Sequence, residues 1–182
     1  GAASIGQVHR GQLFDGRDVA CKIQYPGVAD SIDSDLKNIG TLLNLGRVFM
    51  SRERADMFIE EAREAITREA DYRLEAENLI RFNSYFADWE GVRIPRPIED
   101  GAYASVLMME YIEADPFVDA LNSRPEAALR DEIATRFIEV FTYMFHELHE
   151  LHADPHPGNF LLDADNNIVL LDFGCVRAFD PR

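Results

Sequence analysis

His152-Ala153-Asp154-Pro155-His156-Pro157-Gly158-Asn159, followed after an apolar hairpin by Leu171-Asp172-Phe173-Gly174, is the stretch that decides how this chain folds. Asp154 and Asn159 stand five positions apart. Beyond them, Phe160-Leu161-Leu162 and Ile168-Val169-Leu170-Leu171 are apolar runs joined by Asp163-Ala164-Asp165-Asn166-Asn167, whose Asp and Asn residues tolerate turn geometry. The pattern predicts two strands that hold the polar loop and Asp172 side by side.

That spacing matches the protein-kinase signature, in which a base Asp and a metal-binding Asn five positions apart precede a magnesium-binding D-F-G. Phosphoryl transfer offers a protein little covalent chemistry, so catalysis rests on positioning and on neutralising phosphate charge. In such a site Asp154 orients a hydroxyl or water and accepts its proton. Asp172 and Asn159 supply oxygen ligands to Mg²⁺, a hard cation. A lone D-F-G recurs by chance, whereas the loop, hairpin and D-F-G together are far more specific.

The composition fits one soluble globular domain: 182 residues, 47% hydrophobic and 28% charged. Eighteen basic residues against 33 acidic ones give a net charge of −15, which disfavours nucleic acid as a partner because backbone-phosphate binding rests on Lys and Arg. Cys21 and Cys175 form no zinc spacing, and so few cysteines suit a reducing compartment. No apolar run reaches the length of a spanning helix, and no signal peptide is visible. The chain starts without Met and stops soon after the D-F-G, so a fragment, truncated after that motif, is expected.

Upstream, Phe14-Asp15-Gly16-Arg17 separates two strand-like runs, and Asp-Gly in that setting is a strong hairpin signal. In the second run, Asp18-Val19-Ala20-Cys21-Lys22-Ile23-Gln24, Ala20 and Lys22 share one face and Cys21 takes the other. This matches the kinase V-A-I-K strand, whose Lys contacts the α/β-phosphates and a helix Glu. Taken alone, Lys22 reads better as a solvated surface lysine; the downstream motif reverses that preference. The opening Gly1-Ala2-Ala3-Ser4-Ile5-Gly6-Gln7-Val8-His9 stands where a kinase has a glycine-rich phosphate loop, and its alanines restrict positive φ and close backbone approach.

Ala2 to His9, Lys22-Ile23-Gln24-Tyr25-Pro26-Gly27-Val28, Glu69-Ala70-Asp71-Tyr72, Glu75-Ala76-Glu77-Asn78 and His152 to Asn159 together resemble the UbiB/ADCK family, atypical kinase-like proteins that support ubiquinone (coenzyme Q) biosynthesis. The likeness spans nearly the whole chain, and Lys22 to Val28 leans toward the coenzyme Q branch of bacteria and mitochondria. It implies that Glu75 pairs with Lys22. It also implies that Glu69 and Asp71 form an E-x-D pair contacting a K-x-G-Q motif that this sequence does not contain.

Residues 31–50 carry Ile32, Leu36, Ile39, Leu42, Leu43 and Val48 near helical spacing and read as a packing helix. From Arg52 to Trp89 no Gly or Pro occurs, which predicts long helical structure broken near Ala70 to Tyr72, with Glu60, Glu61 and Glu64 on a solvated face. Val92 to Ile98 and Tyr103 to Glu110 read as strands around a Glu99-Asp100-Gly101 turn. Val106 to Ile112 resembles the kinase hinge, which puts the boundary between lobes 1–112 and 113–182 near Ile112. From Pro125 to Leu151, Leu129, Ile133, Phe137, Val140, Phe141, Met144, Phe145 and Leu148 form an apolar stripe, expected to be the core helix that carries the catalytic loop.

The expected fold is therefore α+β and two-lobed like a protein kinase, with a small antiparallel sheet and long helices before Ile112 and a mainly helical part after it. The resemblance implies ATP and Mg²⁺ as cofactors and an ATPase or small-molecule (lipid) kinase activity. Nucleotide contacts are expected from Ala2, Ala3, Ser4, Val8, Ala20, Lys22, Met109, Glu110, Ile112, Asn159 and Asp172. Metal ligation falls to Asn159 and Asp172, and catalysis to Asp154, Lys22 and Glu75. Implied partners are ATP/ADP, quinone precursors or lipids, and other coenzyme Q proteins, at a cytoplasmic or peripheral membrane location in a bacterium and a mitochondrial one in a eukaryote.

Three rivals remain. His146, His149, His152 and His156 crowd beside Asp154 and could hold a transition metal, although their spacing is not that of H-E-x-x-H zinc proteases. Aminoglycoside or choline phosphotransferases share an H-x-D-x-x-P-x-N loop, but they do not resemble the Ala2 to His9 opening. A pseudokinase scaffold is the third, with every nameable catalytic position filled.

Overall fold

The computed structural model describes residues 2–3, 5–28, 54, 56–57, 59–61, 63, 70–154 and 156–180. The expected 31–50 helix, Ser4 and Glu69 lie outside them. β1 (Ala2–Ala3), β2 (Gly6–Gln12) and β3 (Asp18–Gln24) open the chain, and the Asp15-Gly16 pair reverses it between β2 and β3. Gly16 takes φ 91°, a left-handed conformation that a side chain would strain, and Leu13 N–H closes the turn on Arg17 O at 2.8 Å.

The described residues from 54 to 63 are helical, and α1 (Tyr72–Tyr85) begins anew after the predicted break. Asp71 leaves helical backbone, and its carboxylate accepts the Arg73 N–H at 3.0 Å. The break is thus a side-chain cap that satisfies an orphan donor of the first turn. Tyr72, Glu75, Ala76, Leu79 and Phe82 form the buried stripe of α1.

The 92–110 segment departs from expectation. β4 (Val92–Arg93) leaves the first sheet altogether, β5 (Pro97–Tyr103) runs straight through Glu99-Asp100-Gly101, and the chain reverses at Ala104 and Ser105 before β6 (Val106–Glu110). Asp100 sits at φ 55° and the β5–β6 register shifts between Pro97 and Ala102, so the turn-forming residues make an irregularity within a strand instead of a reversal. The first sheet is antiparallel, in the order β1-β2-β3-β6-β5.

Beyond Ile112 come β7 (Ala114–Pro116), α2 (Phe117–Ser123), α3 (Ala127–Tyr143), a π-helical turn (Met144–Leu148) and β8 (Glu150–His152). A 3-10 turn (Pro157–Asn159), β9 (Phe160–Asp163), β10 (Ile168–Leu170) and β11 (Val176–Ala178) follow. The second sheet has the order β4-β10-β9-β7, with β4 parallel to β10, and β8 pairs with β11. The predicted hairpin is β9–β10: Asp163 Oδ1 accepts the Asp165 and Asn167 N–H groups at 3.0 and 2.8 Å, with Asn166 at φ 64°.

α3 buries Ile133 and Val140, and Met144 opens the π turn beneath them, against Phe160, Leu162, Ile168, Leu170 and Phe173. Phe145 is not on this stripe. The widened turn changes the angular step, and Phe145, 48% exposed, packs on Phe179 at 4.9 Å between ring centroids. No helix among the described residues is long and apolar enough to cross a membrane.

Candidate active site

Lys22 sits mid-strand on β3, opposite Val8 on one side and Leu107 on the other, and only 4% of it is exposed. A buried ammonium needs counter-charge, and α1 provides it. Lys22 Nζ lies 3.0 and 2.8 Å from the two oxygens of Glu75, itself 2% exposed, and 3.1 Å from Asp172 Oδ2. Nζ also stands 5.1 Å from the Tyr72 ring centroid. Burial alone would lower Lys22, but the two carboxylates more than offset it and hold the amine above its usual range. Glu75 answers differently: burial lifts it to about 7, Lys22 offsetting only part of that rise and the neighbouring charge of Asp172 adding to it.

Asp172 owes its position to the strands on either side of it. Ala153 N–H donates to Cys175 O at 2.8 Å, His152 pairs with Val176, and Leu171 N–H donates to Asn159 O at 2.8 Å. Phe173 is fully buried, its ring centroid 4.8 Å from that of Phe82 and 5.0 Å from that of His152. His152 Nε2 donates to Leu171 O at 2.8 Å; a carbonyl only accepts, so the proton is on that nitrogen. The loop from Asp154 to Asn159 closes on itself. Asn159 Nδ2 donates to Asp154 Oδ2 at 2.7 Å, and His156 N–H donates to Asp154 Oδ1 at 3.2 Å. With its nitrogen spent on Asp154, Asn159 keeps Oδ1 for a cation.

Two clefts meet at Lys22, Glu75 and Asp172. One, of about 240 Å³, is lined by Val8, Ala20, Met109, Glu110, Ile112 and Asn159 together with those three. The other, of about 350 Å³, adds Asp154, Tyr72 and Cys175. Apart from Ser4, Ala2 and Ala3, every residue expected at the site therefore lines one of two adjoining hollows. For Ala2 and Ala3 only the backbone pairing with Gln7 and Gly6 is described. A larger hollow of about 810 Å³, lined by Phe86, Trp89, Arg93, Arg96, Glu110 and Tyr111, has neither Lys22 nor Asp172, so its size does not make it the candidate site.

The donor set suits a magnesium nucleotide. One carboxylate and one amide oxygen, Asp172 and Asn159, line the same cleft as a buried cation, and Mg²⁺ takes one or two protein oxygens plus phosphates rather than a full protein cage. The four clustered histidines do not converge. His152 is committed to Leu171, and His156 Nδ1 accepts from Gly158 at 3.1 Å. His146 faces Phe145, and His149 packs edge-on to Phe179. Among the described residues no group of three or more His, Cys, Asp or Glu is placed to hold a metal.

The profile of the ABC1 atypical kinase-like domain matches residues 1–182. This chain belongs to that family. It is 40% identical over 190 residues to the atypical kinase coq-8, mitochondrial, of Caenorhabditis elegans, covering 99% of this chain and 24% of that protein. It is 36% identical over 179 residues to the atypical kinase COQ8B, mitochondrial, of Rattus norvegicus, covering 98% and 34%. The chain thus spans about a quarter to a third of the length of these curated relatives. Among solved structures, the Rv3197–erythromycin complex from Mycobacterium tuberculosis superposes with a TM-score of 0.78 at 32% identity, covering 97% of this chain and 44% of that one. A kinase-like α+β fold and membership in the UbiB group of COQ8/ADCK atypical kinases follow.

Within this ABC1 domain, several residues at the site had been given no role from the sequence. Pro95, Tyr111, Leu161 and Leu171 complete the apolar walls of the smaller cleft, and Tyr72 and Cys175 line the larger. Gln24 donates to Ala70 O and to Ala104 O, anchoring the chain just ahead of α1. Asn78 donates to Phe173 O at 2.8 Å. Gln24 and Asn78 both stand in stretches that carry the family resemblance, but it implied no role for either; Asn78 follows Glu75 by one helical turn.

Proposed function

We propose that this domain binds Mg-ATP where the two clefts meet and acts as an ATPase or as a small-molecule, lipid-type phosphotransferase in support of coenzyme Q synthesis. The observation that carries the reading is Lys22 Nζ, buried and held 2.8 Å from Glu75 and 3.1 Å from Asp172. A buried cation held by a helix carboxylate beside the D-F-G aspartate is poised for phosphate positioning, the lysine turning to phosphate as the aspartate takes the metal.

In this reading Val8, Ala20, Met109, Ile112 and Leu161 form apolar walls for a flat base, with Ile112 at the lobe boundary. Glu75 holds Lys22 toward the phosphates. Asp172 and Asn159 would ligate magnesium, which when bound spreads and neutralises phosphate charge. Asp154, steadied by Asn159 and the His156 N–H, orients the attacking hydroxyl or water and accepts its proton. The names of the relatives support an atypical kinase, and two of them are named as mitochondrial. For this chain we extend that to a mitochondrial setting in a eukaryote or a cytoplasmic, peripherally membrane-associated one in a bacterium, with quinone precursors, lipids and other coenzyme Q proteins as partners.

Calorimetric titration of ADP and ATP, with Mg²⁺ and with chelator, tests the reading in the parent chain and in Asp172→Asn. Magnesium should tighten binding to the parent and do little for the variant. Equal behaviour of the two would remove Asp172 from the metal site.

A further inference from the structure

Helix α1 carries more than the partner of Lys22. Glu75, Asn78 and Arg81 recur every three residues, and each reaches a different segment: Glu75 meets Lys22 on β3, Asn78 Nδ2 donates to Phe173 O at 2.8 Å, and Arg81 Nε donates to Glu150 Oε2 on β8 at 2.8 Å. Arg81 Nη2 also donates to Asn78 Oδ1 at 2.8 Å. That contact fixes which way the amide faces. A guanidinium only donates and a carbonyl only accepts, so Asn78 must show oxygen to Arg81 and nitrogen to Phe173. The chain Glu150–Arg81–Asn78–Phe173 therefore ties the strand before the catalytic loop to the D-F-G.

The carbonyl held by Asn78 belongs to the Phe173–Gly174 peptide. The N–H of the same peptide, on Gly174, donates to Asp172 Oδ1 at 3.4 Å. A peptide is planar, so fixing its oxygen fixes the direction of its N–H. The other Asp172 oxygen, Oδ2, faces Lys22. Asp172 itself takes φ 59°, a left-handed conformation that a non-glycine residue keeps only when its surroundings over-determine it. Asn78 is part of what over-determines it.

We infer that Asn78 is a positioning residue: by holding the Phe173–Gly174 peptide in one orientation, it aims the Asp172 carboxylate and so sets how strongly metal enhances nucleotide binding. Asn78 need not touch the ligand. The functional half rests on the Mg-nucleotide reading above; the peptide geometry does not.

Two variants separate the contacts. Asn78→Asp keeps size and a partner for Arg81 but turns an acceptor toward Phe173 O, and Asn78→Ala removes both contacts. The first readout is amide hydrogen exchange at Gly174 in the chain without nucleotide, measured beside Leu79 and Phe82 in α1 as a control for folding. The second is the ratio of ADP Kd in chelator to that in Mg²⁺. In both variants Gly174 should exchange about five-fold faster or more, with Leu79 and Phe82 unchanged, which is the net worth of one hydrogen bond. The magnesium-dependent gain in ADP affinity should fall by about the same factor while the metal-free Kd stays put.

Gly174 exchange that matches the parent in Asn78→Asp would overturn the inference whatever the nucleotide does. Faster exchange with an undiminished magnesium gain would overturn the positioning role. A parent chain whose ADP affinity ignores Mg²⁺ would overturn the reading of the site and the role given to Asn78 in it, and Gly174 exchange would tell that failure from a failure of the hydrogen bond.

Discussion

Replacing Glu75 by glutamine should flatten one part of the pH–stability curve. Burial lifts the folded-state pKa of Glu75 to about 7 from an ordinary value of 4.5. Between those two values the folded chain holds a proton on Glu75 that the unfolded chain has released. Stability therefore falls as pH rises through that window. At 1.36 kcal/mol per unit the full effect is on the order of 3 kcal/mol, an upper bound for a carboxylate coupled to Lys22 and Asp172. Glu75→Gln cannot titrate and keeps the shape of the side chain, so it should lack that slope while accepting a hydrogen bond from Lys22. Urea unfolding at about pH 5 and about pH 7.5 measures it for parent and variant. The parent should lose more stability than Glu75→Gln on going to the higher pH. If the two lose the same amount, Glu75 is not held protonated by burial and the account of the triad is wrong.

Lys22→Met leaves Glu75 and Asp172 facing each other without a cation; breaking a buried pair costs about 3–5 kcal/mol, read as a lower urea midpoint near neutral pH, and a change under about 1 kcal/mol would contradict the burial described here. Phe173→Ala empties the space against Phe82 and His152 and should cost about 3–5 kcal/mol by thermal or urea unfolding. Gly6→Ala would press a methyl group onto the Ile23 backbone and the Tyr72 hydroxyl, so a loss of about 1–3 kcal/mol is expected, and an unchanged melting temperature would show that β2 yields there freely.

Local chemistry was the legible part of the sequence. Asp15-Gly16 states its own turn, the Asp163 to Asn167 run states the β9–β10 reversal, and the helix break at Asp71 coincides with a capping side chain. Lys22 stood out only beside the downstream motif, and its partner Glu75, 53 positions away, was reached through family resemblance. What stayed hidden depends on which distant elements meet. An apolar pair such as Val92-Arg93 reads the same in either sheet, and nothing in its neighbourhood announces a parallel partner at Ile168. The bond from Asn78 to Phe173 crosses 95 positions and leaves no periodicity in the sequence. Phe145 misled because the stripe was read with an α-helical step where the helix widens to a π turn.

A structure of this chain with ADP and Mg²⁺ tests the central claim most directly. The base should lie between Ala20 and Leu161, with the metal about 2.1 Å from an Asp172 oxygen and from Asn159 Oδ1 and with Lys22 turned from Asp172 to phosphate. Nucleotide seated in the larger hollow by Phe86 and Trp89, or metal remote from Asp172 and Asn159, would contradict the account.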